Sequence, residues 1–182
     1  MKELVIVVDS ADNEVGSEEK FAVHANGLLH RAFSLFVFNS QGNLLLQQRN
    51  RNKYHTPGLW SNTCCSHPRP GETLDAAVRR RLLEEMGFCC DVKEKFSFRY
   101  ELPLENTMIE HEYNHVFIGF HDGDPLPDPA EVEAWRWLSL AEVRAEAARG
   151  PHLFTPWFTL ILHDYGHLFD KALTAGKAGK RK

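Results

Sequence analysis

The sequence lacks a long apolar stretch and an excess of positive charge. The early apolar run Leu4–Val8 ends at Asp9 and is far shorter than the roughly 20 residues of a membrane-spanning helix or the core of a signal peptide. Lys and Arg number 21 against 25 Asp and Glu, which gives a formal net charge of −4, whereas bulk nucleic-acid binding needs a basic surface. We therefore expect a cytoplasmic protein without membrane insertion or a nucleic-acid partner, with room for a small basic pocket.

Cysteine is also scarce. The four cysteines form two adjacent pairs, Cys64–Cys65 and Cys89–Cys90. Neighbouring cysteines rarely bridge each other, because the geometry strains the peptide between them. In a reducing compartment all four are expected to be free thiols.

Apolar runs predict strands that surround a few helices without a regular βαβ alternation. The strand segments are Leu4–Val8, Phe33–Phe38, Leu44–Gln48, Lys95–Glu101, Tyr113–Phe120 and Arg136–Leu138. Gly42 and Asn43 mark a hairpin turn between the second and third segments. This order predicts an α+β fold, with helices packed on a mixed sheet. We expect a single compact domain over residues 1–175 and a disordered basic tail over residues 176–182.

Three helices are predicted from periodicity and capping signals. The first extends from Gly71 to Gly87, because apolar residues recur at every fourth position and Gly87 supplies a stop. Ser139-Leu-Ala-Glu142 is a capping box that opens a second helix ending near Arg149. Pro156 starts the third helix, whose apolar residues fall on one face.

Three imidazoles and two carboxylates could build a mixed nitrogen and oxygen site for a divalent transition metal. His24 and His30 precede a predicted strand, and His67 follows a polar motif that contains two cysteines. Glu110 and Glu112 are two residues apart, so in an extended chain they point to the same side. The alternative is that the histidines are ordinary surface or core residues and that the glutamates form a solvated strand face.

Cys65 is a second candidate site residue. Free cysteines are usually buried small hydrophobes, but Cys65 is expected in a polar loop, two residues before His67 and just before a helix. A helix N-terminus and nearby cations favour the thiolate form. Cys64 points elsewhere in any extended or turn conformation, so the two neighbours should differ in role.

The first predicted helix carries a charge pattern with two interpretations. It could be a solvated face with i, i+4 pairs between Arg80 and Glu84 and between Arg81 and Glu85. Alternatively, Glu72 and the run up to Phe88 resemble the Nudix box, a loop-helix-loop that presents glutamates to Mg²⁺ bound by a diphosphate. Ser66 stands where that box begins with Gly. Arg81 stands where Nudix hydrolases have a glutamate central to hydrolysis, and an arginine there would contact phosphate and would not coordinate metal.

Both departures match one branch of the superfamily, because the sequence resembles the type 1 isopentenyl diphosphate isomerases from about Glu19 to Phe169. The segments that carry the resemblance are Glu19–His24, Leu29–Phe33, Pro57–Pro68, Phe98–Tyr100, Glu110–Tyr113 and Phe154–Trp157. Together they are far more specific than the box alone. The resemblance implies a Nudix-like mixed β-sheet with helices on its faces. It also implies an isomerase that interconverts isopentenyl diphosphate and dimethylallyl diphosphate in isoprenoid biosynthesis, by metal-dependent protonation and deprotonation.

The same resemblance implies two metal ions. One divalent ion, Mn²⁺ by preference with Zn²⁺ or Mg²⁺ as alternatives, would be held by His24, His30, His67, Glu110 and Glu112. A second ion, Mg²⁺, would be held by Glu85 and the main-chain oxygen of Cys65. That ion would bridge the substrate diphosphate.

The resemblance further implies catalytic and substrate-binding residues. Cys65 and Glu112 match the catalytic pair, with Tyr100 alongside Glu112, and the order in which the pair acts is left open. The expected cationic contacts of the diphosphate are Lys20, Arg49, Lys53 and Arg81. Trp157 matches an aromatic lid over the hydrocarbon.

Two other functions compete with this interpretation. A Nudix hydrolase of nucleotide or other diphosphates would share the fold, although Arg81 and the His/Cys cluster count against it. A non-catalytic diphosphate-binding or regulatory domain is the other, and an intact Cys65 and Glu112 weaken it. The expected partner is a small-molecule diphosphate, and the oligomeric state is left open between a monomer and a weak dimer.

Overall fold

The computed structural model describes residues 3–179, and for residues 174–179 only the backbone. Within this range the strands are β1 (Leu4–Val8), β2 (Glu14–Glu19), β3 (His30–Phe38), β4 (Asn43–Arg49), β5 (Trp60–Ser61), β6 (Cys64–Ser66), β7 (Val92–Pro103), β8 (Ile109–Phe120) and β9 (Val132–Ser139). The helices are α1 (Lys20–Asn26), α2 (Leu74–Met86), α3 (Leu140–Arg149) and α4 (Pro156–Gly179). None of the helices in residues 3–179 is both long enough and apolar enough to cross a membrane.

Strand β3 lies at the centre of one mixed sheet. It pairs in parallel with β8 along its whole length, and it pairs antiparallel with β1 at His30, with β6 at residues 33–35 and with β4 at Phe38. The remaining strands extend the sheet through β2 on β1, β5 and β9 on β4, and β7 on β8. The centre of the sheet therefore brings β6 and β8 to the two sides of β3.

The sheet separates two apolar clusters, because side chains of a strand alternate between its faces. Phe36 and Phe38 of β3 pack under α3 and α4, with Phe158 and Ile161 among their neighbours. Phe33, Leu35 and Val37 point to the opposite face, and there they pack against the apolar side of α2. A mixed sheet covered by helices on both faces confirms the predicted α+β class.

The predicted strands and helices are all present, with bounds that differ by a few residues. The predicted capping box at Ser139 and Glu142 is also formed. Helix α4 continues to Gly179, residues 180–182 lie outside the described residues, and the disordered tail over residues 176–182 stays a prediction. The domain boundary at residue 175 stays a prediction.

Helix α1 and the short strands β2, β5 and β6 were not predicted. Helix α1 has only seven residues, too few for an amphipathic pattern to be visible. Its ends are nevertheless well defined: the Glu19 carboxylate accepts hydrogen bonds from the backbone N–H groups of Phe21 and Ala22, and Gly27 adopts φ +62° at the end. A Cβ at Gly27 would lie 3.1 Å from Ile109 Cδ1, so this glycine also permits the close approach of α1 to β8.

Candidate active site and metal centre

One cleft gathers side chains from all parts of the fold. Eleven of the predicted site residues line it: Lys20, Arg49, Lys53, Cys65, His67, Arg81, Glu85, Tyr100, Glu110, Glu112 and Trp157. The other two, His24 and His30, are fully buried and contact Glu110. All the side chains that the sequence analysis selected thus lie in or next to this cleft.

Four of these residues form a compact group of potential metal ligands. One atom from each of His24, His30, His67 and Glu110 lies within 4.8 Å of the others, and all four residues are buried. His24 Nε2 is 3.1 Å and His30 Nε2 is 3.6 Å from Glu110 Oε1. Glu112 Oε1 approaches from the side, 3.4 Å from His67 Nε2 and 4.0 Å from His30 Nε2.

Backbone carbonyls orient two of the imidazoles. His24 Nδ1 lies 2.6 Å from the Lys20 carbonyl oxygen, and His30 Nδ1 lies 2.9 Å from that of Leu28. A carbonyl can only accept, so each Nδ1 carries the hydrogen, and in the neutral ring each Nε2 presents a lone pair to the group. Burial lowers the pKa of His30 to about 3 and holds the pKa of His67 well below its usual value, so both rings are neutral, as metal ligation requires.

Hydrogen bonding among the described residues leaves this group incomplete. His24 Nε2 and Glu110 Oε1 are buried and 3.1 Å apart, and with the hydrogen of a neutral His24 on Nδ1 neither atom has a hydrogen-bond partner. Unsatisfied buried polar atoms are rare and need an explanation, such as an ion. Neutral imidazoles and a carboxylate suit a divalent transition metal. The residues present therefore fit a bound cation.

Glu112 is held by hydrogen bonds at one of its two oxygens. Oε2 accepts a hydrogen bond of 2.6 Å from Tyr100 Oη and one of 2.7 Å from Asn114 Nδ2. Oε1 faces His67 and His30. Burial raises the pKa of Glu112, because a charged carboxylate is disfavoured away from water. The side chain is thus oriented by its neighbours and is more basic than an exposed glutamate.

Cys65 and Cys64 point to opposite faces of β6, as predicted. Cys64 packs into the cluster under α2, whereas Cys65 contacts the cluster under α4 and lines the cleft. The Cys65 thiol donates a hydrogen bond of 2.9 Å to Asn62 Oδ1. Burial raises its pKa to about 12, so the expected thiolate is wrong: Cys65 lies in a strand nine residues before α2 starts, and desolvation favours the neutral thiol.

Four cations lie in the cleft with carboxylate or carbonyl partners. Lys20 Nζ is 3.2 Å from Glu3, and Lys53 contacts Glu131. Arg81 contacts Glu84, Glu85 and Glu131. These partners neutralise much of the cationic charge in the cleft.

Arg49 is the most enclosed of the four. Its guanidinium donates hydrogen bonds of 3.2 Å to the carbonyl oxygens of His55 and Thr56, and it lies 5.3 Å from the centre of the Trp157 ring. Thr56 adopts φ +46°, an unusual conformation for a β-branched residue that is often found at functional sites. This strained turn places both carbonyl oxygens around the guanidinium.

Glu85 is buried at the end of α2 that faces the cleft. Its Oε1 accepts a hydrogen bond of 2.6 Å from Arg81 Nη2, and its Oε2 accepts one of 2.9 Å from Gln47 Nε2. Both interpretations of the charge pattern on α2 hold in part. The i, i+4 pairs between Arg80 and Glu84 and between Arg81 and Glu85 are present, while Glu85 and Arg81 also line the cleft.

Several polar residues of the cleft were not predicted from the sequence, including Ser34, Gln47 and His55. His55 is buried, with its ring stacked 5.5 Å from that of His24 and edge-on to Trp157 at 5.9 Å. A signal was available for Ser34, because it interrupts the apolar run Ala32–Phe38 of β3. A polar residue at a core position of a strand is unusual.

The fold and the matched motif define the class of protein. The NUDIX domain family matches residues 28–158. The fold is shared with DR0079 from Deinococcus radiodurans, at a TM-score of 0.74 and 23% identity over 90% of this chain and 99% of that chain. It is also shared with a MutT protein from Methanosarcina mazei Go1, at a TM-score of 0.63 and 20% identity over 79% of this chain and 94% of that chain. The chain is therefore a Nudix-fold protein, as predicted.

Sequence relatives define the family more narrowly. The isopentenyl-diphosphate Delta-isomerase of Serratia proteamaculans is 49% identical over 166 residues, which cover 91% of this chain and 93% of that protein. Isopentenyl-diphosphate Delta-isomerase 1 of Aromatoleum aromaticum is 53% identical over 157 residues, which cover 86% of this chain and 89% of that protein. The chain belongs to the isopentenyl-diphosphate Delta-isomerase family, and the resemblance stated from the motifs is confirmed.

Proposed function

We propose that this protein interconverts isopentenyl diphosphate and dimethylallyl diphosphate by protonation and deprotonation, in the cytoplasm and for isoprenoid biosynthesis. One observation carries the proposal. The Cys65 thiol and the Glu112 carboxylate line the same cleft, together with a buried His/Glu group and four cations. Family membership supports the same reaction.

The reaction needs two acid–base groups that flank the substrate. An isolated alkene is a very weak base, and its protonation at the terminal carbon gives a tertiary carbocation. A second group must then remove a proton from the carbon nearer the diphosphate. Cys65 and Glu112 supply these two groups, and the reverse direction exchanges their roles.

The environments of the pair suit proton transfer. Burial keeps the Cys65 thiol protonated, with its pKa raised to about 12, so the sulfur holds a hydrogen that it can donate. Burial also raises the pKa of Glu112, and a divalent ion held by the same carboxylate would oppose that shift. Tyr100 Oη donates a hydrogen bond to Glu112 Oε2 at 2.6 Å, and we infer that it orients this carboxylate.

We propose that His24, His30, His67, Glu110 and Glu112 hold one divalent ion, with Mn²⁺ preferred and Zn²⁺ or Mg²⁺ as alternatives. Such an ion would supply a fixed positive charge that holds the Glu112 carboxylate in place and lowers its basicity. The donor set supports this proposal, because the His24 Nε2 and Glu110 Oε1 atoms of the group lack other partners.

We propose that Lys20, Arg49, Lys53 and Arg81 bind the diphosphate, and that Glu85 with the Cys65 main-chain oxygen holds a Mg²⁺ ion that accompanies it. Charge-assisted contacts to phosphate are strong. Their binding energy positions the small hydrocarbon part of the substrate, which by itself binds only weakly. Trp157 is the proposed lid over the hydrocarbon. Its ring face can stabilise a cation by up to about 2 kcal/mol when desolvated.

Turnover in D₂O tests the reaction and separates it from hydrolysis. Purified protein with Mg²⁺ and Mn²⁺ is incubated with isopentenyl diphosphate and followed by proton and phosphorus NMR on the same sample. We expect solvent deuterium in a methyl group of dimethylallyl diphosphate, with exchange at more positions at longer times. A hydrolase would release phosphate and leave every carbon-bound hydrogen in place, and that result would contradict the proposal.

Glu112→Gln is the internal control for this experiment. Glutamine keeps the size of the side chain and an oxygen for the metal, but it removes the acid–base function. Deuterium incorporation should therefore collapse while the protein stays folded. Unchanged incorporation would assign the proton transfer to another residue.

A further inference from the structure

We propose that Ser34 and Asn114 are positioning residues that join Cys65 and Glu112 in one hydrogen-bonded chain and fix the orientation of both. This inference rests on the proposed function, because it concerns the two groups that exchange protons with the substrate. Neither Ser34 nor Asn114 was selected from the sequence. Both are almost completely buried, with exposed fractions of 0% and 1%.

The register of the sheet explains how these residues meet. Strand β6 pairs with β3 so that Cys65 lies directly opposite Ser34. Strand β8 pairs in parallel with β3 so that Asn114 lies opposite Ala32, two residues before Ser34. Because Ala32 has only a methyl group, the longer Asn114 side chain reaches diagonally across the sheet to Ser34.

The hydrogen bonds of this group run in one direction. Asn114 Nδ2 donates one hydrogen to Glu112 Oε2 at 2.7 Å and the other to Ser34 Oγ at 3.1 Å. Ser34 Oγ lies 3.6 Å from Cys65 Sγ, and we assign the Ser34 hydroxyl as the donor because the thiol hydrogen is directed to Asn62. The Cys65 thiol in turn donates to Asn62 Oδ1 at 2.9 Å.

Asn62 fixes the far end of the chain. Its Nδ2 group donates to the carbonyl oxygens of Leu35 and Cys64, at 3.1 and 3.0 Å. Its oxygen is therefore left as an acceptor, and the direction of the Cys65 S–H bond is determined. The result is a continuous donor order from Asn114 through Ser34 and Cys65 to Asn62.

The bonding of Asn114 is difficult to explain by packing alone. Its Oδ1 is buried without a hydrogen-bond partner among the described residues, which is unfavourable for a buried amide. Reversing the amide would place Oδ1 against the Glu112 carboxylate, 2.7 Å from Oε2. The contacts with Glu112 and Ser34 thus determine the orientation of the Asn114 amide and leave its Oδ1 atom without a hydrogen bond. Buried polar atoms without a partner often occur at functional sites.

The chain serves both proton transfers. When the thiol gives its proton, the S–H bond breaks, a C–H bond forms on the substrate, and the Ser34 hydroxyl faces the resulting sulfur anion. When Glu112 takes a proton, a C–H bond of the substrate breaks and an O–H bond forms on the carboxyl group. Asn114 holds that group in one plane while this happens. In the reverse reaction the same contacts serve the opposite transfers.

Ser34→Ala tests the proposal with the smallest change, because it removes only the hydroxyl. We expect kcat to fall by roughly 10- to 100-fold, the scale of a lost orientation effect, while KM and the bound metal per chain stay as in the wild type. Asn114→Ala should act in the same way on kcat. Thr63→Val is the matched control, since the Thr63 hydroxyl is equally buried but bonds to the backbone of Leu45 and Val37. Its kcat should stay within about twofold of the wild type at a temperature where it is folded.

Combined variants separate positioning from a structural role. If Ser34 acts through Cys65, Ser34→Ala should change the residual rate of Cys65→Ala by less than about twofold, because coupled residues are not additive. The same factor in both backgrounds would overturn the proposal. An unchanged kcat in Ser34→Ala would overturn it, and so would loss of the fold or of the metal in that variant while Thr63→Val keeps both.

The assay of the wild type distinguishes failure of the proposed function from failure of the proposed hydrogen-bonded chain. If wild-type protein makes no dimethylallyl diphosphate, the proposed function itself fails. If the wild type is active and Ser34→Ala equals it, only the hydrogen-bonded chain is wrong.

Discussion

His30 Nε2 and His67 Nε2 lie 3.1 Å apart. The Leu28 carbonyl holds the hydrogen of His30 on Nδ1, so the His30 Nε2 atom carries a lone pair towards His67. Burial lowers the pKa of both rings, so an added proton, beyond the one N–H of each neutral ring, is a poor bridge between them. A divalent cation is a better one, because it attracts both lone pairs and the Glu110 carboxylate at once.

Metal content should follow these histidines. His67→Ala removes one ligand of the buried group, whereas His163→Ala removes an exposed imidazole on α4. We expect the first variant to lose metal on dialysis and the second to retain it, as measured by elemental analysis. A full complement of metal in His67→Ala would show that His67 is not a ligand of the metal.

Removal of the metal should lower the thermal stability of the wild type much more than that of His67→Ala. A ligand at 100 times its Kd stabilises the folded state by about 2.7 kcal/mol, so a chelator should lower Tm measurably in the wild type. The shift should be much smaller in His67→Ala, because that variant has little bound metal to lose. Equal shifts in both proteins would contradict the assignment.

The two adjacent cysteines should respond differently to alanine. Cys65→Ala should lower kcat by roughly 10²- to 10⁴-fold, the range for a lost acid–base group. Cys64→Ala should keep most activity and lose about 1 kcal/mol of unfolding free energy, because Cys64 packs in the cluster under α2. Steady-state kinetics and denaturant unfolding measure the two effects, and equal activity of Cys65→Ala and wild type would refute the role of Cys65.

Substrate binding should weaken above about pH 8. Burial lowers the pKa of Lys53 to about 8, so this amine is positive below that pH and neutral above it. Since the proposed ligand is an anionic diphosphate, KM should rise as pH increases from about 7 to about 9.5. Lys53→Arg keeps its charge over this range and should show a flatter KM profile. The same rise in both proteins would assign the effect to another group.

Arg81 should bind the phosphate groups of the substrate, whereas Arg79 should not. Arg81 lies among the carboxylates of Glu84, Glu85 and Glu131, and Arg81→Glu would place a further negative charge next to the diphosphate. We expect kcat/KM to fall by about 30-fold or more, without any gain of phosphate release. Arg79→Glu is the matched control, because Arg79 pairs with the exposed Asp75. Unchanged KM and kcat in Arg81→Glu would show that Arg81 is only a solvated residue of the helix and does not bind the substrate.

Local patterns were sufficient to predict most of the elements. Alternating or continuous apolar runs predicted the longer strands, and the Ser139 capping box predicted the start of α3. Helix α1 was missed because its start depends on the Glu19 side chain and its end on Gly27, with too few residues between them for a periodic signal. The pairing of β3 with β8 could not be predicted either, since it joins residues about 80 positions apart in the chain.

The sequence by itself determined the family and selected the side chains that we propose as acid–base groups, cationic contacts and metal ligands, because these depend on residue types in short motifs. It also determined that Cys64 and Cys65 face opposite ways, which follows from the alternation of an extended chain. Only the tertiary structure decided that Cys65 is a thiol with its hydrogen directed by Asn62. It alone linked Cys65 with Glu112 through Ser34 and Asn114. Desolvation and hydrogen-bond direction depend on neighbours that distant strands supply, and no local pattern in the chain encodes them.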